Sequence, residues 1–140
     1  MKIVKYRREY EKKVQKLIKT VLFEIFGQHK LNPFENFEEY AIFYVTIDKN
    51  KVIGSCGLRT DKNLGTVKRM YVYKNYRNRG LAQKMYNKLE VFAKKNKIKV
   101  LELSTTPQMI NAIRFYKKNG FKKTGKDIKA NKIFFRKKLE

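Results

Sequence analysis

The chain has 140 residues and a formal net charge of +23, with 35 Lys and Arg against 12 Asp and Glu. This length suits one domain with a sizeable core, and the single cysteine excludes an internal disulfide and fits a reducing compartment. No apolar run approaches the roughly 20 residues of a membrane span, and the first residues show no secretory pattern. We therefore expect one cytoplasmic domain over residues 1–140 with no membrane contact.

The positive charge has two explanations. Basic surfaces attract the phosphate backbone of nucleic acids, so a nucleic-acid partner is one hypothesis. The lysines, however, are scattered through every segment and accompany many Asn, Ile, Tyr and Phe residues, a composition that an AT-rich genome encodes. Because no DNA-binding motif is present, the sequence favours compositional bias over a nucleic-acid partner.

Apolar periodicity predicts the elements of the first half of the chain. A short strand at Lys2–Tyr6 precedes a long amphipathic helix at Arg8–Phe26. A loop with a short helix at Glu35–Tyr40 follows, and it contains the lone His29, for which we expect a surface position. Three strands then form a meander, with the predicted ranges Ala41–Asp48, Lys51–Thr60 and Leu64–Tyr73.

The sequence pattern of the second half of the chain predicts a strand–helix–strand unit. A helix at Gly80–Asn96 leads into the nearly continuous apolar strand Ile98–Leu103, which indicates a parallel strand pair with a right-handed crossover. A helix at Met109–Asn119 and two closing antiparallel strands, Phe121–Lys123 and Lys132–Lys138, complete the chain. The predicted α/β order is β-α-(α)-β-β-β-α-β-α-β-β, a mixed sheet flanked by helices.

Three small residues mark the middle strand of the meander. Gly54 and Gly57 predict a bulge or a close backbone approach. Cys56 lies between them, and we interpret it as a small core residue, because a nucleophilic cysteine needs a histidine and an accessible positive pocket.

A basic loop joins the last strand of the meander to the next helix. The first turn of a helix leaves backbone N–H groups unpaired and carries a partial positive charge. Small residues such as Gly80 and Ala82 let a phosphate approach that backbone closely, and Arg77 and Arg79 add charge. The GxGxxG and P-loop patterns are missing. Alone, the loop predicts either an anion site or an ordinary connection.

Two motifs together resemble one family. Arg77-x-x-Gly80-x-Ala82 resembles the Q/R-x-x-G-x-G/A acyl-coenzyme A signature of the GNAT family of N-acetyltransferases. The segment Ala112–Phe121, which starts 30 residues after Ala82, resembles the second family hallmark, A-I/V-x-L/F-Y-x-K-x-G-F. The predicted element order agrees with the family along essentially the whole chain. The resemblance therefore implies a GNAT-like fold.

The resemblance also implies acetyl transfer from acetyl-coenzyme A to an amine. The thioester oxygen would rest on a backbone N–H of Met70, Tyr71 or Val72, with Val72 as the first choice. Tyr116 matches the phenol that protonates the departing thiolate. The diphosphate would bind the loop and the first helical turn, which comprise Arg77, Asn78, Arg79, Gly80, Leu81, Ala82 and Gln83.

Two positions depart from the family pattern. Many relatives carry an asparagine seven residues before the tyrosine to hold the pantetheine arm, but Met109 stands there and Asn111 is the nearby candidate. Many relatives also place a glutamate, the general base, on the strand before the loop, where Lys68 and Arg69 stand. Glu102 is therefore a candidate base. A structural carboxylate at Glu102, or a water relay, is the alternative.

The acidic residues suggest where an acceptor binds. Residues 21–47 hold four glutamates and one basic residue, Lys30, which gives this window a net charge of −3. In the resembled family this region forms one wall of the acceptor site, so such an island would attract a protonated amine. We expect a cationic small amine or a peptide amine as acceptor, bound by Glu24, Glu35, Glu38 and Glu39. Solvated acids without a partner are the alternative interpretation.

The remaining expectations concern the assembly and the competing functions. No metal site is predicted, and either a monomer or a homodimer fits the sequence. A nucleic-acid-binding protein or a cofactor-sensing domain on the same fold is the alternative function, because a fold alone never fixes function.

Overall fold

The computed structural model describes residues 1–27 and 35–140. The mixed α/β fold class and the predicted order of elements are confirmed, and His29 lies outside the described residues. No described helix has both the length and the apolar character to cross a membrane. The strands and helices are β1 (Lys2–Lys5), α1 (Glu11–Phe26), β2 (Ile42–Asp48), β3 (Lys51–Asp61), β4 (Leu64–Val72), α2 (Leu81–Lys95), β5 (Val100–Thr105), α3 (Ile110–Lys118), β6 (Lys122–Asp127) and β7 (Lys132–Lys138).

The seven strands form one sheet in the order β1-β2-β3-β4-β5-β7-β6. Among the described strands, only β4 and β5 pair in parallel, and α2 joins them, which confirms the predicted crossover unit. Their pairing is short, running from Leu64 opposite Val100 to Thr66 opposite Glu102. Beyond Thr66 and Glu102 the two strands separate, so the sheet forks.

Helices cover the two faces of the sheet. Val14, Leu17 and Ile18 of α1 pack with Val45 and Val52 on one side, which we call the α1 face. The other side is the α2 face, where the larger core cluster joins residues of α2 and α3 to the sheet. That cluster includes Met85, Leu89 and Tyr116 from the helices and Ile53, Leu58, Leu101 and Leu103 from the strands.

A β-bulge distorts the pairing of β3 with β4. Arg69 and Met70 of β4 together lie opposite the single residue Cys56 of β3. Arg69 has a φ of 57°, a left-handed conformation that is uncommon for a residue with a long side chain. The buried Ser55 hydroxyl donates a hydrogen bond of 2.7 Å to the Arg69 carbonyl. This bond fixes the bulge from inside the sheet.

Gly57 and Cys56 behave as the sequence predicts. A Cβ added to Gly57 would lie 2.7 Å from ring atoms of Phe43 and Tyr40, so only glycine permits this close approach. Cys56 is completely buried, and burial raises the pKa of its thiol. Its place in the α2-face core fits a packing role.

We expect Ser55→Ala to lower the free energy of unfolding by about 1–3 kcal/mol, because the variant removes a buried donor from the Arg69 carbonyl. Urea unfolding at neutral pH measures the change. The control is Ser104→Ala, an exposed serine on β5, for which we expect a change within about 0.5 kcal/mol. Equal unfolding free energies for the two variants would show that the Ser55 hydroxyl does not stabilise the bulge.

Candidate active site

A cleft of about 820 Å³ opens where β4 and β5 separate. The end of α1, the edge of β4, the loop before α2, the first turn of α2, and α3 form its walls. Tyr116 lines this cleft, and so do all but one of the residues for which the sequence predicts cofactor contact. The predicted cofactor residues that line it are Met70, Tyr71, Val72, Arg77, Asn78, Gly80, Leu81, Ala82, Gln83 and Asn111.

The missing member of that set is Arg79. Its guanidinium lies 5.1 Å from the ring centroid of Tyr76 and donates a 3.0 Å hydrogen bond to the Asn75 carbonyl. The side chain is exposed on the loop before α2. Its predicted contact with a diphosphate stays a prediction.

The free edge of β4 presents backbone groups to the cleft. Val72 lies opposite Gly54, and its carbonyl accepts a 2.9 Å hydrogen bond from Nε of Arg77, on the side away from β3. The N–H and C=O of one strand residue lie on the same edge. The N–H of Val72 therefore faces the fork.

The N-terminus of α2 forms the far end of the cleft. Gly80 caps the helix in a left-handed conformation, with φ of 76°. A Cβ added to Gly80 would meet no atom of residues 1–27 or 35–140 within 4 Å, so these residues leave the space before the helix open. The N–H groups of Leu81, Ala82 and Gln83 belong to the first turn, which has no intrahelical acceptors for them. This arrangement suits an anionic group such as a diphosphate.

An ion pair crosses the rim of the cleft. Arg77 donates to both carboxylate oxygens of Glu24, at 2.6 Å and 2.9 Å, and so joins the loop before α2 to the end of α1. About a third of each side chain is exposed, 33% for Arg77 and 30% for Glu24. The Arg77 charge is therefore already matched within the protein. Its predicted role beside a diphosphate stays a prediction.

Tyr116 projects from α3 into the core end of the cleft. Its ring packs edge-to-face against Phe115 and Phe121, with centroid distances of 5.6 Å and 5.7 Å. Only 7% of the residue is exposed, and burial raises the pKa of its phenol. The hydroxyl therefore keeps its proton at neutral pH and is available as a proton donor.

The sequence reasoning missed a connection between α2 and α3. The side-chain amide of Gln83 donates a 2.8 Å hydrogen bond to Asn119, and the amide of Asn119 donates one of 3.1 Å back to Gln83. Asn119 also donates to the Phe115 carbonyl at 2.9 Å. These bonds tie the first turn of α2 to the helix that bears Tyr116. The only sequence signal was the helix-ending pair Asn119-Gly120.

The pantetheine-arm candidates lie where α3 begins. Met109 caps α3, and its sulfur accepts a 3.3 Å hydrogen bond from the Thr105 hydroxyl. Asn111 follows in the first turn, exposed, and both residues line the cleft. The role of Asn111 in holding the pantetheine arm stays a prediction.

Glu102, the candidate base, does not line this cleft. It points to the α1 face, because its neighbours Leu101 and Leu103 are buried on the α2 face. Its carboxylate lies 3.0 Å from the Arg136 guanidinium. The structure therefore places Glu102 outside the cleft that Tyr116 lines, and a role for Glu102 as the base stays a prediction.

Arginines neutralise most of the predicted acidic island. Glu24 pairs with Arg77, Glu35 with Arg69 and Glu38 with Arg8. Of the four predicted acceptor ligands, the exposed Glu39 alone has no ion pair among the described residues. The attraction of a protonated amine depended on free negative charge, and these pairs remove most of it. The free negative charge on this island is therefore smaller than the sequence suggests, and binding of a cationic acceptor by these glutamates stays a prediction.

Glu35 is held in a half-buried network beside the β4 bulge. The Arg69 guanidinium donates to both of its oxygens, at 2.7 Å and 3.2 Å, and the Tyr40 hydroxyl donates at 2.6 Å. Burial raises the pKa of the Glu35 carboxyl, but these hydrogen bonds outweigh it, and the pKa is lowered overall. Burial and the bond to Glu35 raise the pKa of Tyr40 to about 12, so its hydroxyl stays a donor.

We expect this network to make the fold less stable in acid. A carboxyl whose pKa is lowered on folding stabilises the protein above its unfolded pKa, here 4.5, and loses that effect as the pH falls through the folded value. At pH 7, Glu35→Gln should therefore cost about 1–3 kcal/mol of unfolding free energy, and the cost should shrink below pH 4.5. Urea titrations across this range measure it.

The matched control is Glu38→Gln. Glu38 pairs with Arg8 at 2.9 Å, but both side chains are well exposed, so we expect no measurable change. A Glu35→Gln variant that is as stable as wild type at neutral pH would contradict the assigned network.

Comparison with known proteins identifies this architecture, a mixed sheet that forks beside a helix N-terminus, as that of an acetyltransferase. Residues 11–121 match the model of the acetyltransferase (GNAT) family. A crystal structure of a GNAT-family acetyltransferase from Staphylococcus aureus Mu50 has a TM-score of 0.89 and 25% sequence identity, over 99% of each chain. The chain belongs to the acetyltransferase (GNAT) family, which confirms the predicted family and fold.

Two other relatives differ more in sequence or length. PaiA N-acetyltransferase from Thermoplasma acidophilum, solved with coenzyme A, has a TM-score of 0.81 and 19% identity, over 99% of this chain and 100% of that one. N-acetylaspartate synthetase from Xenopus tropicalis is 34% identical over 87 residues, which are 61% of this chain. That match spans 32% of the length of the synthetase.

Proposed function

We propose that this protein transfers an acetyl group from acetyl-coenzyme A to a primary amine by direct attack. The observation that supports it most strongly is one cleft that joins three groups: the free edge of β4 at Val72, the open helix N-terminus at Gly80, and the phenol of Tyr116. Each group serves one part of the donor. The edge of β4 offers an N–H to the thioester oxygen, the helix N-terminus binds the diphosphate, and the phenol gives a proton to the leaving thiolate.

The reaction balances with these groups. The amine nitrogen attacks the thioester carbon, and the N–H of Val72 stabilises the negative charge that develops on the oxygen. As the carbon–sulfur bond breaks, Tyr116 gives its proton to the sulfur, and it recovers a proton from solvent. The nitrogen loses one proton through water. The products are an amide and free coenzyme A.

A primary amine fits both the family and the relatives. The name of the N-acetylaspartate synthetase describes the formation of an N-acetyl amino acid, and PaiA is named as an N-acetyltransferase. Among the described residues, no group of three or more His, Cys, Asp or Glu side chains is placed to hold a metal ion. In this proposal, backbone N–H groups and a tyrosine supply the catalysis.

Release of free thiol in the presence of acetyl-coenzyme A and a panel of amines tests the proposed function. We expect release that depends on both the amine and the enzyme. Binding of acetyl-coenzyme A by calorimetry, without thiol release from any amine, would instead identify a cofactor-sensing domain. Absence of binding, together with salt-sensitive binding of duplex DNA, would favour the nucleic-acid alternative.

A further inference from the structure

The α3 wall of the cleft carries positive charge that the proposed acetyl transfer does not use. Arg114 and Lys118 both line the cleft, and both residues are exposed. The ion pairs formed among residues 1–27 and 35–140 all use other cations. In the described part of the chain, both charges are therefore available to a ligand.

The third cation of the cleft lining, Arg77, is already bound within the protein. It donates to both carboxylate oxygens of Glu24 and to the carbonyl of Val72. A ligand that binds Arg77 has to compete with these bonds, whereas a ligand that binds Arg114 or Lys118 competes only with water. The α3 wall is therefore the better place for an anionic group of the donor.

The two cations and the phenol mark opposite sides of α3. Arg114 and Lys118 are four residues apart, so they lie one helical turn apart on the same side of the helix. Tyr116 is two residues from each of them, which places it roughly 160–200° around the helix. Tyr116 is buried and the two cations are exposed. The phenol thus marks the inner end of the cleft, and the cations mark its outer rim.

Hydrogen bonds hold this rim beside the N-terminus of α2. Asn119 follows Lys118 in the chain and exchanges two hydrogen bonds, of 2.8 Å and 3.1 Å, with the side-chain amide of Gln83. Gln83 belongs to the first turn of α2, which Gly80 caps. The cations therefore border the site proposed for the diphosphate, on its solvent side.

Coenzyme A carries phosphate at two places. A diphosphate joins its pantetheine arm to a ribose, and a separate phosphate monoester is attached to that ribose. With the thioester at Val72 and the diphosphate at the N-terminus of α2, the nucleotide leaves the cleft at the outer rim. A phosphate monoester carries a charge of about −1.5 to −2 at pH 7, and Arg and Lys side chains bind such groups.

We propose that Arg114 and Lys118 form a second phosphate site, which binds the ribose phosphate of coenzyme A. Arg114 offers a planar guanidinium that can donate two hydrogen bonds, and Lys118 adds a point charge. The site selects thioesters of coenzyme A over donors without this phosphate, such as acetyl-dephospho-coenzyme A or an acetyl group on the phosphopantetheine arm of a carrier protein. This inference rests on the donor of the proposed acetyl transfer and names the residues that select it.

A matched pair of donors tests the inference. Acetyl-coenzyme A and acetyl-dephospho-coenzyme A differ only in the ribose phosphate, and calorimetry gives the Kd of each. We expect the Kd of acetyl-coenzyme A to be about tenfold lower at low salt, because its partner lacks a charge-assisted bond. The preference should shrink as salt is added, since the site is exposed. Equal Kd values at low salt would overturn the inference.

Variants then test the two residues. Arg114→Gln combined with Lys118→Gln should raise the Kd of acetyl-coenzyme A about tenfold and leave that of acetyl-dephospho-coenzyme A unchanged, so that the preference disappears. The control combines Lys95→Gln with Lys117→Gln, which removes two exposed charges from outside the cleft lining. It accounts for the general attraction of anions by a protein of net charge +23. If both double variants keep the preference, or both lose it, Arg114 and Lys118 are not the site.

The two proposals fail in different ways. Thiol release with equal affinity for the two donors would overturn the phosphate site alone and leave the acetyltransferase. A preference for acetyl-coenzyme A that depends on Arg114 and Lys118, without thiol release from any amine of the panel, would overturn acetyl transfer and leave the phosphate site. Absence of binding of either donor would overturn both.

Discussion

Gly80→Val should abolish the binding of acetyl-coenzyme A. Gly80 has a φ of 76°, which a β-branched residue adopts only at a high cost, and its missing Cβ leaves open the space before the first turn of α2. The branched side chain would fill that space and keep the diphosphate from the N–H groups of the turn. Loss of two or more charge-assisted bonds predicts a rise in Kd of about a hundredfold or more, measured by calorimetry.

Gly27→Val separates backbone strain from cofactor exclusion. Gly27 also has a positive φ, 69°, and open space around its Cβ position, but it ends α1 outside the lining of the cleft. Gly27→Val should lower stability and leave Kd unchanged. Gly80→Ala serves as a milder second variant if Gly80→Val does not fold. Wild-type affinity in a folded Gly80 variant would contradict the assigned phosphate site.

Tyr116→Phe should lower turnover by about 10²–10⁴-fold, the usual contribution of a general acid, while the affinity for acetyl-coenzyme A stays nearly unchanged. The ring still packs between Phe115 and Phe121, so only the proton donor is lost. Because burial raises the pKa of this phenol above its ordinary value of 10.0, wild-type turnover should not fall through ionisation of Tyr116 below pH 10. Single-turnover measurements report the chemical step.

Tyr44→Phe is the matched control for that experiment. Tyr44 is also a buried tyrosine of the α2-face core, with 9% exposure, but it lies on β2 and does not line the cleft. We expect it to keep wild-type turnover. A Tyr116→Phe variant as fast as Tyr44→Phe, under conditions where chemistry limits the rate, would remove Tyr116 from the mechanism.

Most of the fold follows from local sequence patterns, and the differences between the predicted and the observed strands have local causes. The sequence predicted the fifth strand at Ile98–Leu103, but it runs from Val100 to Thr105. Ile98 instead closes α2, since Lys97 turns with φ of 62° and the Ile98 N–H bonds the Ala93 carbonyl at 3.0 Å. An apolar residue that covers a helix end resembles a strand residue in sequence alone.

The sixth strand shows a second limit of sequence patterns. It was predicted at Phe121–Lys123 and extends over Lys122–Asp127, a segment that is almost entirely polar and exposed. In the part of the chain that the structure describes it pairs with β7 alone, and Gly125 lies at a shift in their register. A polar edge strand forms through backbone hydrogen bonds to its neighbour. Because these bonds do not require apolar side chains, the sequence of such a strand shows no apolar alternation.

The candidate site, like the fold, could be predicted from the sequence only in part. The loop at Gly80 and the tyrosine at position 116 lie in short motifs with fixed spacing, so the sequence predicted them together. The ion pairs join residues far apart in the chain, as with Glu24 and Arg77, which are separated by 53 positions. Charge counting along the chain therefore indicated a free acidic island. Only the folded chain shows that Arg8 before α1, Arg69 on β4 and Arg77 in the following loop pair with its glutamates.

Transfer of labelled acetyl tests the central proposal most directly. The protein is incubated with each member of a broad panel of primary amines and with acetyl-coenzyme A that carries ¹³C at the thioester carbonyl, and carbon NMR follows the label. The account predicts that the thioester signal is replaced by an amide signal, and that this conversion is lost in Tyr116→Phe over the same time. Persistence of the thioester, or label that appears only in free acetate, would contradict acetyl transfer to an amine.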